Sequence, residues 1–433
     1  MSSDKPPRED TLQRRVRRFA AVSGNVGGVA MKAAGMRLFG FAPNPGREAA
    51  ELKAALGGLK GPIMKVAQML ATIPDLVPPE YAAELMELQT NAPPMGWSFV
   101  KRRMRSELGD DWEQKFAEFE REAAAAASLG QVHRAKLPDG RAVACKLQYP
   151  EMASAVESDL QQLKILLAVH KRIDTAIDTS SVAIEIGARL REELDYQLEA
   201  RHMSLYRAML GGVSEIRVPE LVPELSTARL LTMSWLSGDG LLTRKTSSQD
   251  ERNRLGTILF RAWWLPFARF GAIHGDPHLG NYSVTGAGEG VGLNLLDFGC
   301  IRTFGPKFVG GVIDLYRGLL AGDEALVVHA FETWGFQGLS REIIDALSIW
   351  ARFIYAPMLE NRVRSVADGV LPAEYGRREA FEVHRRLRAL GPVRPPREFV
   401  FMDRAAIGLG GVFLHLGAEL NFHELFNEVI DQH

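Results

Sequence analysis

Two short stretches decide the fold and chemistry of this sequence, Asp276-Pro277-His278-Leu279-Gly280-Asn281 and Leu295-Leu296-Asp297-Phe298-Gly299. The first places an asparagine five residues after an aspartate, and the second places an Asp-Phe-Gly triplet after an apolar run typical of a short strand. Carboxylate and amide oxygens are the hard ligands that Mg²⁺ prefers, so we predict that Asn281 and Asp297 bind this metal. Asp276 is placed to orient or deprotonate an attacking hydroxyl or water.

Each stretch is a weak signal alone, because an isolated Asp-Phe-Gly triplet is most often a turn at the end of a strand. Their order and spacing together are typical of the catalytic loop and the metal-binding loop of kinases. His274 and His278 are four residues apart, a spacing that suits a metal pair on a helix. Pro277 lies between them and argues against a regular helix, so a zinc site is not predicted.

A lysine upstream fits the same interpretation. Residues 132–137 and 142–147 have the pattern of two strands, and Pro138-Asp139-Gly140 between them is typical of a tight turn. The second strand contains Val143-Ala144-Cys145-Lys146, which resembles the strand that carries the phosphate-binding lysine of kinases. We predict that Lys146 contacts nucleotide phosphates. The alternative is a solvated charge on a strand edge.

An alanine-rich segment, residues 123–131, comes directly before this hairpin. A kinase has a glycine-rich loop here, which covers the phosphates. We predict that the segment covers the nucleotide through Ala125, Ala126, Ala127 and Ser128. Alanine in place of glycine should stiffen the loop and restrict close approach. The alternative is a helix, because alanine has the highest helix propensity.

The motifs together resemble the UbiB family of atypical kinase-like proteins. The family pattern contains the alanine-rich loop, then Ser128-Leu129-Gly130-Gln131-Val132-His133, then the Val-Ala-Cys-Lys strand. Two further family motifs, KxGQ and ExD, resemble Lys65-Val66-Ala67-Gln68 and Glu193-Leu194-Asp195. Ala67 stands where the first of these motifs has glycine. Because five motifs occur in family order, we identify the chain as a member of this family.

The resemblance implies an α+β, two-lobed protein-kinase-like fold, with an N-terminal helical extension packed over the active site. It implies that Mg²⁺ and ATP or ADP bind between the lobes. Glu199 would pair with Lys146, so that both join Asp276 as catalytic residues, while Met233 and Trp235 would face the adenine. The regulatory residues that the resemblance implies are Lys65 and Gln68 of the extension together with Glu193 and Asp195, which would engage Lys65.

The activity implied by the resemblance is Mg²⁺-dependent ATP hydrolysis that supports the biosynthesis of ubiquinone or another prenylated quinone, without free protein-kinase activity on other proteins. Two alternatives stay open. His274-Gly275-Asp276 with Asn281 also resembles small-molecule phosphotransferases of the aminoglycoside and choline kinase type. The second alternative is a nucleotide-sensing pseudokinase that serves as a scaffold.

Local patterns along the chain predict its segments. They are a basic Gly/Ala-rich N-terminal segment at 1–47, a helical extension at 48–115, a kinase-like N-lobe at 116–236 and a helical C-lobe at 237–433. The pattern from Ile184 to Tyr206 predicts one long helix, which would place Asp195 and Glu199 on the same face. The apolar run at 405–420 is too short to span a membrane, and no transmembrane helix is predicted.

Composition and charge restrict the partners and the compartment. The formal net charge of −1 gives no reason to expect nucleic acid as a partner. Two cysteines are too few for a disulfide framework and favour a reducing compartment. We therefore expect a cytoplasmic protein, or one of the mitochondrial matrix in a eukaryote.

The segment at 11–47 predicts a peripheral contact with membranes. It contains no acidic residue, and Arg14, Arg15, Arg17 and Arg18 cluster at its start, so an anionic membrane surface would attract it. The alternative is a flexible arm or a helix packed on the domain. Other partners left open by the resemblance are a quinone-precursor lipid or phenolic ligand, a second copy of the chain, and a quinone-biosynthesis complex.

Overall fold

The computed structural model describes residues 95–126, 129–150, 152–158, 160–161, 179–367, 369–370, 382–383, 385–386 and 396–431. The chain divides into two compact units. The N-terminal unit contains the described residues up to Gln197 together with Val222–Met233, and the C-terminal unit contains Leu198–Leu221 and the described residues from Ser234 onward. The predicted segment boundaries stay predictions, and residues 1–94 lie outside the described part of the chain.

Among the described residues, helices and short strands alternate up to Thr303, and the elements named after it are helices. The helices are α1 (Trp97–Leu108), α2 (Thr179–Glu193), α3 (Tyr196–Leu210), α4 (Gln249–Phe270), α5 (Pro306–Ala321), α6 (Glu324–Trp334), α7 (Arg341–Leu359), α8 (Arg397–Leu416) and α9 (Phe422–Ile430). The strands are β1 (Glu118–Phe119), β2 (Ala125–Ala126), β3 (Gly130–Lys136), β4 (Ala142–Gln148), β5 (Ile216–Arg217), β6 (Leu230–Ser234), β7 (Asp239–Gly240), β8 (Ala272–His274), β9 (Tyr282–Thr285), β10 (Gly292–Leu295) and β11 (Ile301–Thr303).

The predicted hairpin is the centre of the N-terminal sheet, whose order is β1-β3-β4-β6 with β2 paired on β3. Strands β3 and β4 are antiparallel, and Val132 lies opposite Lys146. Gly140 in the connecting turn has φ of 91°, a conformation that glycine adopts without steric cost. The hairpin prediction at 132–147 is confirmed.

A hydrophobic core joins α1 to this sheet. Val100 and Met104 of α1 are 1% and 0% exposed and belong to one buried cluster with Val143, Cys145 and Leu147 of β4. The inward side chains of the strands alternate with exposed ones along β3, which is the pattern of a sheet with one buried face. The buried side chains of α1 thus pack against β4, the strand that carries Lys146, and fix its position.

In the C-terminal unit, α4 leads directly into the strand before the catalytic stretch. The side chain of Ser248 caps the start of α4 by accepting a hydrogen bond from the N–H of Glu251. Gly271 ends the helix with φ of 64°, and β8 begins at the next residue. Aromatic packing fixes α4 against other helices of the unit, because the Trp264 ring lies 4.8 Å from the ring of Phe426 on α9.

The prediction of one helix from Ile184 to Tyr206 was wrong, because α2 ends at Glu193 and α3 begins at Tyr196. The side-chain amide of Gln148 donates to the carbonyl oxygen of Leu194 at 3.0 Å, so this oxygen has a partner outside the helix at the break. Asp195 lies between the helices and not within one. The argument that Asp195 and Glu199 share a helical face therefore does not hold.

Residues 405–416 of the apolar run predicted at 405–420 belong to a longer helix, since α8 begins at Arg397 and ends at Leu416. Among the described helices, α8 is long and apolar enough to cross a membrane, with a mean hydropathy of 1.4. Of the 18-residue stretch of α8 that gives this value, 39% is buried inside the protein. Core helices of soluble proteins have the same length and composition, so this feature alone is weak evidence for a membrane span.

Candidate active site

The stretch from His274 to Asn281 forms a loop held by hydrogen bonds within itself. The carbonyl oxygen of Asp276 accepts from the N–H of His278 at 2.8 Å and from the side-chain amide of Asn281 at 2.9 Å. The N–H of Asn281 donates to the carbonyl oxygen of His278 at 2.9 Å. The amide nitrogen of Asn281 is thus engaged by the loop, and its Oδ1 is the atom with the chemistry to bind a metal.

His274 connects this loop to the Asp-Phe-Gly segment. Its Nε2 donates to the carbonyl oxygen of Asp297 at 2.6 Å, and its Nδ1 accepts from the N–H of Asp276 at 3.4 Å. The side chain is 4% exposed. Because both ring nitrogens contact the backbone, His274 has a structural role and is a poor candidate for a metal ligand. Its imidazole ring is hydrogen-bonded to the backbones of both Asp276 and Asp297.

The Asp-Phe-Gly segment has its own turn. The Oδ1 atom of Asp297 accepts a hydrogen bond from the N–H of Gly299 at 2.8 Å. The N–H of Gly275 donates to the carbonyl oxygen of Cys300 at 2.6 Å, which ties the end of this turn to the catalytic loop. These bonds orient the Asp297 carboxylate without neutralising its charge.

Aromatic and histidine side chains support this arrangement from α3 and α4. The Phe298 ring packs against Tyr206 at 5.7 Å and against His274 at 6.2 Å, and Phe298 is 1% exposed. The Nδ1 atom of His202 donates to the carbonyl oxygen of Phe298 at 3.1 Å. The indole N–H of Trp263 donates to the carbonyl oxygen of His274 at 3.1 Å. The sequence analysis gave no role to these supporting side chains.

Burial changes the ionisation of one group in each unit. Burial raises the pKa of the Tyr282 hydroxyl, and the negative charge of Asp276 raises it further. Burial also raises the pKa of the Cys145 thiol to about 12, so this thiol is protonated at neutral pH. Neither side chain is therefore a nucleophile at neutral pH.

In the N-terminal unit, Lys146 lies on β4 and is 9% exposed. The alternative of a solvated edge charge is therefore wrong. The Nζ atom of Lys146 lies 5.4 Å from the centre of the Tyr196 ring, a cation–π contact. The Tyr196 side chain is itself 2% exposed and contacts the backbone near Gly130, where an added Cβ would come within 2.8 Å of the tyrosine hydroxyl. The contact between Tyr196 and Lys146 was not identified by the sequence analysis.

The alanine-rich segment forms a strand where its residues are described. Ala125 pairs with Val132 and Ala126 with Gln131, and both alanines are exposed. The helical alternative is wrong for these residues, because pairing with β3 outweighs the helix propensity of alanine. Ala127 and Ser128, which were also predicted to contact the nucleotide, lie outside the described residues.

The next residues of the same motif form a hydrogen-bonded chain. The side-chain amide of Gln131 accepts from the N–H of Met95 at 2.7 Å and donates to the Met95 carbonyl oxygen at 3.2 Å. It also donates to Nε2 of His133 at 2.8 Å, while Nδ1 of His133 donates to the carbonyl oxygen of Glu120 at 2.9 Å. Gln131 and His133 thus fix the backbone at Met95. The spacing of the motif gave no indication of this partner.

The other predicted residues are placed as follows. Glu199 lies in the first turn of α3 and is 3% exposed, and burial of a carboxylate requires a cation or hydrogen-bond donors. Met233 is 7% exposed at the end of β6, and Trp235 follows that strand and is half-buried. Glu193 ends α2 and is half-buried, whereas Asp195 is exposed. The partners predicted for these two acids in the extension, Lys65 and Gln68, lie outside the described residues.

Asn281 and Asp297 fit the requirements of Mg²⁺, since both carry hard oxygen atoms on hydrogen-bonded loops. No group of three or more His, Cys, Asp or Glu side chains suited to a metal occurs among the described residues. Mg²⁺ in nucleotide sites is usually held by one or two protein side chains together with phosphate oxygens and waters. Two ligands from the chain are consistent with that kind of site.

A sequence model of the ABC1 atypical kinase-like domain matches residues 87–331, which is more than half of the chain. The chain belongs to this family. The match confirms the atypical-kinase family predicted from the motifs. The ABC1 domain thus includes the Lys146 strand, α3 and both loops joined by His274.

Relatives of this ABC1-family chain include atypical kinase COQ8, mitochondrial, of Saccharomyces cerevisiae, at 30% identity over 252 residues, with 58% of this chain and 50% of that protein covered. Atypical kinase coq-8, mitochondrial, of Caenorhabditis elegans is 28% identical over 391 residues, with 87% and 50% covered. The chain therefore spans about half the length of the curated relatives it matches.

A solved structure also resembles this chain. Rv3197 of Mycobacterium tuberculosis, determined as a complex with erythromycin, superposes with a TM-score of 0.61 at 26% identity. The match covers 94% of this chain and 98% of that chain. The α+β, kinase-like fold predicted from the motifs is confirmed.

Proposed function

We propose that this chain binds ATP with Mg²⁺ and cleaves the terminal phosphate. The observation that supports this most is the imidazole of His274, which binds the backbone of both Asp276 and Asp297. His274 would thereby hold together the loop that carries the general base and the loop that carries a metal ligand. Phosphoryl transfer depends mainly on such positioning and on charge neutralisation.

The proposal gives each residue a separate task. Asn281 and Asp297 would hold Mg²⁺, which supplies the positive charge that the phosphates require. Lys146 would contact the phosphates from β4, where Tyr196 restricts its side chain. Asp276 would accept a hydrogen bond or a proton from the attacking water or hydroxyl. Glu199 would pair with Lys146.

Slow hydrolysis is favoured over rapid transfer to another protein. Ala125 and Ala126 carry side chains at the strand where ordinary kinases have glycine, and these side chains limit how closely the backbone amides approach a phosphate. Loose contact with the terminal phosphate would leave it poorly aligned with an acceptor. Replacing Ala125 by glycine should therefore change nucleotide preference or start autophosphorylation.

The biological role we propose is support of prenylated-quinone assembly, as in the family that the motifs resemble. The relatives in yeast and nematode are named mitochondrial, and a relative in Arabidopsis thaliana is named chloroplastic. Membrane contact would use the basic segment at 11–47, and Lys65 and Gln68 would restrict access of protein substrates. The lipid or phenolic ligand, the homodimer and the quinone-biosynthesis complex are partners of this same proposal.

The test is an assay of phosphate release and nucleotide affinity on the purified full-length chain. We expect Mg²⁺-dependent release of phosphate from ATP, increased by anionic liposomes and by a phenolic mimic of a quinone precursor. Asp276→Asn should lower turnover and keep nucleotide affinity. Tight binding without turnover would favour the pseudokinase scaffold, and neither binding nor turnover would overturn the proposal.

A further inference from the structure

Helix α8 contacts the catalytic loop at a position where only glycine fits. A Cβ atom added at Gly408 would lie 2.9 Å from Cγ of Pro277 and 3.5 Å from its Cδ. Ordinary van der Waals contacts of a Cβ begin at about 3.4 Å, so the proline would have to move by roughly half an ångström. Pro277 directly follows Asp276 in the chain.

The contact belongs to a face of α8 that packs on the catalytic region. Phe401 lies seven residues before Gly408, two helical turns away and on the same face. The guanidinium of Arg302 lies over the Phe401 ring at 5.2 Å, and Arg302 is paired across the strands with Ile273 of β8. Ala405, on the turn between, is 0% exposed. The helix thus contacts the loop at Pro277 and also contacts β11, the strand paired with the strand that leads into this loop.

A displacement at Pro277 would move some atoms of the loop more than others. The carbonyl oxygen of Asp276 belongs to the peptide group that joins Asp276 to Pro277, so it moves with the proline. The main chain of Asn281 is held farther along, because its carbonyl oxygen accepts from the N–H of Leu296 next to β10. The Asn281 side-chain amide donates to the Asp276 carbonyl oxygen and would follow its displacement. Asp297 is held by His274 and Gly299. The general base and the Asn281 side chain are therefore more sensitive to this contact than Asp297 is.

We propose that Gly408 is a positioning residue for catalysis, whose missing side chain lets α8 fix Pro277 and thereby Asp276. This inference rests on the proposed function, since Asp276 matters only if the chain activates an attacking water or hydroxyl. Gly408 itself contacts no reacting group. It acts through Pro277.

The first experiment compares Gly408→Ala with Gly411→Ala on the same helix, where an added Cβ meets nothing within 4 Å. Gly408→Ala should lower kcat for ATP hydrolysis roughly tenfold, because sub-ångström misplacement of a catalytic group is costly. KM for MgATP should change less than kcat does, since the anionic metal ligand Asp297 keeps its own anchors. Gly411→Ala should keep both values. Equal kcat in the two variants would overturn the inference.

The second experiment removes the atoms that the new methyl group would meet. Pro277→Ala deletes Cγ and Cδ, so adding Gly408→Ala to it should cost much less than adding Gly408→Ala to the wild-type chain. Such coupling identifies a direct contact, whereas simple additivity would overturn it. If Gly408→Ala alone fails to fold, recovery of folding in the double variant supports the same contact, and no recovery contradicts it.

A separate measurement distinguishes failure of this inference from failure of the proposed function. Amide hydrogen exchange at residues 274–281 should increase in Gly408→Ala and not in Gly411→Ala. Absence of turnover in the wild-type chain would contradict the proposed function. Unchanged exchange in Gly408→Ala would contradict the inference, whether or not the wild-type chain hydrolyses ATP.

Discussion

Two buried histidines, one in each unit, connect neighbouring groups through hydrogen bonds from both ring nitrogens, but the donor and acceptor nitrogens are exchanged between them. In the catalytic loop, Nε2 of His274 donates and Nδ1 accepts. In the hairpin, Nδ1 of His133 donates to Glu120 and Nε2 accepts from Gln131. Both rings are used as a neutral bridge with one donor and one acceptor, but the protonated nitrogen differs.

The two bridges differ in what they connect. His274 joins Asp276 and Asp297, the residues to which chemistry is assigned, so its loss should affect turnover. His133 leads through Gln131 to the backbone at Met95 and touches no residue assigned to chemistry. Its loss should affect stability alone. The same type of side chain thus serves catalysis in one region and architecture in the other.

The largest effect should come from removing the negative charge of Asp297, whose backbone His274 binds. Asp297→Asn keeps an oxygen that can accept from Gly299, so the turn is retained while the metal loses its anionic ligand. We expect turnover to fall about 100-fold or more, and stabilisation by Mg-nucleotide in thermal melting to be lost. Asp323→Asn is the matched control, because Asp323 also accepts a backbone N–H, at the start of α6. An unchanged melting shift in Asp297→Asn would refute the metal assignment.

The direct test of the comparison replaces each histidine by leucine. His274→Leu leaves the N–H of Asp276 and the carbonyl oxygen of Asp297 without a partner, so stability should fall by about 2–4 kcal/mol and kcat by at least tenfold. His133→Leu should lower stability by a similar amount. Its kcat, measured well below the melting temperature, should stay within about twofold of the wild-type value. A large kcat loss in His133→Leu would show that the hairpin bridge also serves catalysis.

A moderate effect is expected at the lysine of the N-terminal unit. Tyr196→Leu removes the ring that Lys146 contacts and should weaken nucleotide affinity about fivefold. This change equals about 1 kcal/mol, which lies within the range of cation–π contacts. Tyr196→Phe keeps the ring and should have less than half of this effect in free energy. Isothermal titration with MgADP measures both. Equal losses in the two variants would assign the effect to the hydroxyl group instead.

The smallest effect is the pH dependence of the hairpin bridge. Burial lowers the pKa of His133 below its ordinary value of 6.5, so the unfolded chain binds this proton more readily than the folded chain. The stability contributed by neutral His133 is complete above pH 6.5 and is lost as pH falls toward the lowered pKa of the folded state.

The difference in melting temperature between the wild-type chain and His133→Gln isolates this contribution from other titrating groups. We expect the advantage of the wild-type chain to be constant above neutrality and to shrink as the pH falls below 6.5. An advantage that grows as the pH falls would contradict the neutral bridge.

Local chemistry explains which parts of the structure could be predicted from the sequence. The turn at Pro138-Asp139-Gly140 restricts the chain within three residues, so the hairpin followed from its own residues. The Asp-Phe-Gly segment and the loop ending at Asn281 carry their functional groups at fixed spacing. Motif order was therefore enough to predict the family and the fold.

Contacts between residues far apart in sequence explain what could not be predicted. Leu194 lies at a helix break where Gln148, 46 residues earlier, donates to its carbonyl oxygen. Gln131 binds Met95 across 36 residues. Ala125 joins a strand only because β3 offers an antiparallel partner. Local propensity gives no information about these partners. It therefore predicted a continuous helix through Leu194 and allowed a helix as an alternative at Ala125.

The two thiols of the chain differ enough in exposure to be distinguished chemically. Cys145 is 0% exposed with a pKa of about 12, so it lacks the thiolate that alkylating reagents attack. Cys300 is partly exposed and lies three residues after Asp297. A fluorine-labelled thiol reagent should therefore attach at Cys300 in the native sequence, and its NMR signal would report motion of the Asp-Phe-Gly segment without any engineered cysteine.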